Sequence, residues 1–478
     1  MMQPLRPWLL APLSVALGLL IVDDAMAQTP APEASASASQ ALVMGDWHVR
    51  PLLELRSQAE VRIHPFDTGG ASISAGPSTS TVGSKQPQVD NQWWVLSRGR
   101  LGIAAERGPL RAVLELQDAR LWGETSALRF DARDGLPTTS ARLAFAELRD
   151  TGPRASFLRL GRQEIVWGDG RLLGASDWSP TGRSLDAVRG QWVLGNFDFE
   201  GFSSILVAPG ATPPAMRRGT DGDPEGAGAQ LHGVRLAWHI APLLHVESNN
   251  LGRFARQPTD DLLDPSDLYL TGLRIWGSYP GLSYSLEGAY EAGRTAVVGT
   301  TRTRSAWAAA AKVLYEPGLF WDLGLGLEGA YATGQKSGDE DKLTRFDPVL
   351  PDVRLGLGPM GLYAWSNLVE AAGLVHLSPL ENTTLTFGYR YVTMAEPSDA
   401  WQTAALTPVG HAPDNDEASL GQELDASIEI KPWAPIGVVA GYGAFLTGDG
   451  AKNVLEASGR GRPDLQHHGY LQVTMRVP

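Results

Sequence analysis

The sequence has no cysteine. This excludes thiol nucleophiles, thiolate-held zinc and disulfide staples, and in a chain bound for an oxidising compartment it avoids mispairing. Beyond the first residues there is no apolar run long enough for a membrane helix. Of nine histidines, His232, His239, His245 and His376 fall in expected strands, and none stands in a nucleophile–base setting such as G-x-S-x-G. His467 and His468 are adjacent, so on a strand they point to opposite faces and make no metal site. Gly161 to Gly174 is glycine-rich but lacks the lysine and following helix of a phosphate cradle. Basic residues are dispersed, which leaves no nucleic-acid patch. These absences point to a protein that is not an enzyme and holds no metal or cofactor.

Residues 1–27 carry Arg6, an apolar stretch from Trp8 to Val22 and Ala25-Met26-Ala27. They read as a cleaved secretory signal. Residues 28–44 are rich in Ala, Ser and Pro and read as a disordered lead-in. Residues 45–478 then read as one domain, because no linker composition interrupts them.

From Trp47 the chain runs as short alternating apolar and polar segments separated by turns, about eighteen of them. They begin near Val49, Trp93, Leu110, Ala141, Ser156, Leu185, Phe197, Gln230, Leu243, Leu268, Leu282, Ser305, Trp321, Leu368, Thr384, Glu423, Ile436 and Gly469. Alternation alone fits a soluble sandwich as well as a membrane barrel. The signal, the unbroken series and the aromatics at strand ends (Trp93, Trp94, Trp122, Trp192, Tyr315, Trp321, Tyr331, Trp433) favour an all-β, single transmembrane antiparallel barrel. Short turns such as Arg107-Gly108-Pro109 and Pro280-Gly281 read as periplasmic. Long polar connections at 67–91, 211–229, 293–303, 334–365, 395–420 and 448–468 read as extracellular.

With the polar set of each strand inward, the lumen receives Arg98, Arg100, Arg111, Arg159, Arg189, Arg235, Arg274, Lys312 and Arg390. Glu287, Glu291, Glu328, Glu423, Asp425 and Glu429 come later, which predicts a basic arc facing an acidic one and a transverse field. Although the net charge is -13, the lining of a pore can differ in sign from the surface. Crowded arginines lower the barrier for an anion. The competing reading is that the arginines pair with the acidic arc and with Glu115, Glu147 and Glu164, holding a wet barrel in shape.

The densest chemistry lies between Leu158 and Arg189, where G-R-Q-E (161–164), W-G-D-G-R-L-L-G (167–174), D-W (177–178) and G-R-S-L-D-A-V-R (182–189) follow one another. With R-F-D-P-V-L-P-D (345–352), N-L-V-E (367–370), G-Q-E-L-D (421–425) and G-Y-G-A-F-L-T-G (441–448), this resembles the alginate-export family of outer-membrane barrels. Arg162, Gln163, Asp169, Arg171, Asp177, Arg183, Asp186 and Arg189 match its charged motif.

The resemblance implies a passive channel in the outer membrane of a Gram-negative-type bacterium. Its cargo would be an anionic polysaccharide or smaller acidic solute, and its partners outer-membrane lipid and periplasmic secretion proteins. Between Trp167 and Leu185 we expect a folded loop in which Arg171 and Arg183 pair with Asp169, Asp177 or Asp186, ordering the pore mouth. Arg159 and Arg189 are expected to touch solute, and a bulge at Gly161 to reset the strand phase of Arg162. The alternative is a barrel plugged by its loops and serving as a surface scaffold or enzyme.

Overall fold

The computed structural model describes residues 42–65, 91–123, 139–150, 154–206, 229–255, 266–297, 300–339, 341–354, 356–433 and 435–477. The proposed signal, most of the lead-in and most of the connections at 67–91 and 211–229 lie outside them. Leu42–Met44 forms a short strand folded back on Trp47–Val49.

The barrel strands are β1 (Trp47–Ile63), β2 (Gln92–Arg107), β3 (Leu110–Gly123), β4 (Ser140–Arg149), β5 (Phe157–Gln163), β6 (Leu185–Leu194), β7 (Phe197–Ile205), β8 (Gln230–Ala241) and β9 (Leu244–Ala255). They continue as β10 (Ser266–Tyr279), β11 (Leu282–Val297), β12 (Thr300–Tyr315), β13 (Gly324–Ala332), β14 (Leu368–Leu380), β15 (Thr383–Thr393), β16 (Ser419–Trp433), β17 (Ile436–Thr447) and β18 (Leu465–Val477). Each pairs antiparallel with its neighbours, and β1 pairs with β18 from Leu53↔Val477 to Ile63↔His467. The sheet is therefore a closed 18-strand antiparallel barrel, and closure leaves no unpaired edge for lipid to meet.

Alternation sets the two faces. Leu101, Leu114, Leu273, Leu286, Leu327 and Leu424 are exposed on the outside, the side that meets acyl chains, whereas Arg98, Arg274, Glu287 and Glu423 are buried within. Trp93, Trp122, Trp192, Tyr315, Trp321 and Trp433 are exposed as girdle residues should be. Trp94 is a correction: it is 2% exposed and faces inward. It follows Trp93 on one strand, and successive residues take opposite faces.

Two further expectations fail. The segment 293–303 is no long connection, since β11 and β12 stay in register up to Val297↔Thr300. Its polar residues continue the ladder as well as apolar ones would. No bulge resets β5 either, because its pairing with β4 runs in register from Phe157 to Arg162 and its pairing with β6 from Phe157 to Gln163. Gly161 takes φ +118°, and a Cβ there would lie 2.2 Å from the Ala144 carbonyl oxygen, so the backbone bends without slipping. Arg162 consequently faces outward, 2.8 Å from Asp186.

Wall height varies. β1, β2 and β3 have 17, 16 and 14 residues, but β5 has 7 and β7 has 9. The chain thus leaves β5 low in the wall, where it turns into the lumen. Inside connection 448–464 a helix, α1 (Asp449–Ala457), buries Val454 and Leu455. No described helix is long and apolar enough to cross a membrane.

Candidate solute path and its infolded loop

Segment 164–184 packs inside the barrel against segment 341–367. Gly174 N–H donates to the Leu350 carbonyl (2.9 Å), Leu350 N–H to Leu172 (3.1 Å) and Asp352 N–H to Gly170 (2.9 Å). Trp167, Leu172 and Leu173 join Phe346, Val349, Leu362, Tyr363 and Trp365 in an apolar core that takes in inward residues of the wall such as Leu231, Leu268 and Leu270. The Trp167 indole donates to Glu200 Oε1 (2.7 Å) and meets the Phe202 ring edge-on. A Cβ at Gly233 would lie 2.3 Å from the Phe202 ring and 2.4 Å from the Trp167 ring, so this close approach requires glycine.

The loop is folded, as expected, but the partners seen for its charges lie mostly outside it. Arg171 donates to the Gly356 carbonyl and lies 3.8 Å from Glu287. Arg183 donates to the carbonyls of Gly174, Leu350 and Pro351. Asp169 pairs with Arg274, Asp186 with Arg162, and Asp177 with arginines of the wall. The reason is the inward fold, which brings loop charges to the wall before they reach one another. Gln163 is fully buried and donates to the carbonyls of Gly161 and Ala187.

All nine expected lumen cations face inward, and each has an acidic partner. Arg111 lies 3.2 Å from Glu106, Lys312 2.9 Å from Glu328 and Arg390 3.3 Å from Glu370. Arg235 bridges Glu200 and Glu247 at 3.1 and 2.9 Å. Arg159 pairs with Glu147 and lies over Phe145 and Phe157, while Arg189 pairs with Glu200 at 2.8 Å and also lies over Phe157. The two opposed arcs are a correction. Glu54, Glu106, Glu115, Glu147, Glu200 and Glu247 interleave with the arginines of the first nine strands. Buried guanidiniums need adjacent anions, and a field spread across the lumen would not supply them.

One site gathers more cations around a single carboxylate than these pairs and bridges do. The Asp177 carboxylate lies 2.9 Å from Arg100, 3.1 Å from Arg98, 3.8 Å from Arg56, 3.9 Å from Arg476 and 4.0 Å from Arg142. Arg56 also donates to the carbonyls of Asp177, Trp178 and Ser179 (2.6, 3.2 and 3.0 Å), which fixes the turn. The other carboxylates are Glu54, 2.9 Å from Arg476, Glu115, 4.0 Å from Arg100, and Glu164, paired with Arg142. Among the described residues, five cations thus face four anions. Burial pushes the Asp177 carboxyl up, but Arg98, Arg100 and Arg56 outweigh it and hold the group well below the usual carboxylate range. The sequence reading named Arg98 and Arg100 but missed Arg56, Arg142 and Arg476. Strand phase carried the signal for Arg56, which alternates with Glu54 and Gln58, and for Arg476, but not for Arg142, which a register shift between Ala141 and Leu143 turns inward.

A closed barrel with an apolar outer belt, aromatic girdles and a charged lumen defines the class of outer-membrane channels. The alginate-export family model matches residues 78–462, and the chain belongs to that family. Among solved structures the fold is similar to Pseudomonas aeruginosa OpdQ (12% identity, TM-score 0.52, covering 90% of this chain and 98% of that one). It is also similar to P. aeruginosa OccK7 (OpdD; 11%, 0.50, covering 91% and 100%) and Acinetobacter baumannii OccAB2 (11%, 0.51, covering 90% and 98%). At such identities the likeness is one of fold. A search of curated proteins found no match. The protein is an outer-membrane channel protein of a transport family, set in lipid.

Proposed function

We propose that the channel passively conducts carboxylated saccharides, with export of an anionic polysaccharide as the first candidate and uptake of small acidic sugars as the near alternative. The observation that carries this reading is the set of five guanidiniums, from Arg56, Arg98, Arg100, Arg142 and Arg476, gathered in one stretch of the lumen where cations outnumber carboxylates. Guanidinium is planar, permanently charged and matched to carboxylate geometry. Contacts that form and break quickly favour passage over capture. Arg111, Arg159, Arg189, Arg235, Arg274, Lys312 and Arg390, each close to a carboxylate, shape the wall around that path. The same reading takes residues 1–27 as a cleaved leader, 28–44 as a lead-in and 45–478 as the barrel, with periplasmic secretion proteins as partners in export.

Reversal potentials in planar bilayers under a salt gradient test it. Wild type is expected to prefer anions, and Arg98→Ala with Arg100→Ala to bring the permeability ratio toward unity. Cation preference in wild type refutes the reading. A second reading, the loop-plugged scaffold, draws on the apolar core that segments 164–184 and 341–367 build inside the barrel. It predicts no steady conductance from folded protein.

A further inference from the structure

Asp177 is the most exposed part of its own site after Arg476. Its side chain is 36% accessible, whereas the side chains of Arg56, Arg98, Arg100 and Arg142 are 3%, 0%, 7% and 1% accessible. Four of the five guanidiniums are thus recessed relative to this carboxylate, and only Arg476, at 57%, is more accessible. The group holding the centre of the cation cluster comes from a loop, and every cation around it is held by a strand. Arg56 Nε is buried in the cluster without an acceptor, so the donors exceed what the resident carboxylates satisfy.

We infer that this is a latent carboxylate-binding site whose present occupant is the protein's own Asp177, standing in for the carboxylate of a sugar acid. The inference rests on the anion-channel reading and adds to it an internal competitor. Without its negative charge, residue 177 would leave five guanidiniums facing three acids among the described residues, and a weaker competitor for an incoming carboxylate. Solute occupancy then requires the 177–179 turn to yield, so affinity for a monocarboxylate sugar is set by competition with Asp177. Yielding means that the turn exchanges the three Arg56 hydrogen bonds to its carbonyls and carries the Trp178 ring, which meets Tyr470 edge-on and lies under Arg354 at 3.4 Å, along with it.

The test compares wild type, Asp177→Asn and Asp177→Glu as single channels, with D-glucuronate as the probe and D-glucose as the neutral control. Asp177→Asn is expected to show glucuronate block at about ten-fold lower concentration than wild type, the loss of one charge-assisted competitor. Asp177→Glu, which keeps the charge, should need more glucuronate for block than Asp177→Asn does, and glucose should affect none of them. Equal glucuronate sensitivity in wild type and Asp177→Asn, or an equal gain toward glucose, overturns the inference. Failure of the anion-channel reading is seen separately, as cation preference in the wild-type reversal potential.

If Asp177→Asn does not fold, a second measurement uses Ser179→Cys in the otherwise cysteine-free chain. Glucuronate should raise the rate at which a thiol reagent labels Cys-substituted position 179 several-fold, and glucose should not. An unchanged rate at saturating glucuronate overturns the inference.

Discussion

Replacing Trp167 by alanine should unlock the infolded loop and leave the barrel intact. The indole is 2% exposed, so on the order of 200 Å² of aromatic surface leaves contact. At roughly 25 cal/mol per Å² this amounts to about 5 kcal/mol. Partial collapse and water entering from the lumen bring the expected loss to about 3–5 kcal/mol. Glu200 keeps Arg189 and Arg235 as partners, so no buried charge is orphaned. At 1.4 kcal/mol per factor of ten, the open population of the loop rises by roughly two to three and a half orders of magnitude. Hydrogen exchange measures this directly, at the amides of Gly174, Leu350 and Asp352, which tie the two infolded segments together. These amides should exchange faster by that factor, while amides in β10 to β12 keep their protection. Loop amides as slow as in wild type, or strand amides accelerated to the same degree, would refute the reasoning.

Gly233→Ala places a Cβ inside the space of the Trp167 and Phe202 rings, and should loosen the same loop by about 1–3 kcal/mol, again read from its amides. Arg159→Ala leaves Glu147, whose side chain is 2% exposed, with only the more distant Arg111 and Arg149 (3.9 Å each). The cost should be about 3 kcal/mol, seen as a lower temperature for loss of the compact band in heat-modified gels, with little change in ion selectivity. The Asp177 carboxyl is held well below its ordinary value, so its contribution to the loop is complete above the unfolded pKa of about 4 and is lost only as pH falls through the lower folded value. The difference in loop protection between wild type and Asp177→Asn should therefore be the same at pH 7 and pH 5 in intrinsic-rate-corrected exchange. A difference that shrinks within that window would show that Asp177 is not the anchor.

Much of the barrel was legible because a period of two is a strong signal over eighteen repeats. Every expected strand start lies within a few residues of an observed one. What escaped was written in another code. Leu231, Leu268, Leu270 and Phe445 face inward and are buried under loops, so strands there are apolar on both faces, and assigning the apolar set to lipid misplaces part of the lining. The loop partners escaped for a related reason. Asp169, Arg171 and Asp177 are close in sequence, but their partners Arg274, Glu287 and Arg98 lie on distant strands. Spacing cannot report which charges meet when a connection turns inward. Arg142 shows the limit at its simplest, since strict alternation puts it on the outer face with Leu148, and only the register shift beside it in β4 turns it inward.

The five-guanidinium site also straddles the line where the barrel closes. Arg56 belongs to β1 and Arg476 to β18, and these two strands meet only when the first and last segments of the sheet join. An insertion intermediate with an open sheet lacks one side of the site, so Asp177 has nowhere complete to seat. On the proposed anion-channel reading, ion selectivity therefore doubles as a record of biogenesis. A barrel sealed with a strand omitted or slipped would separate Arg56 from Arg476 and would differ in permeability ratio from a correctly sealed one, even where mass and secondary-structure content look alike.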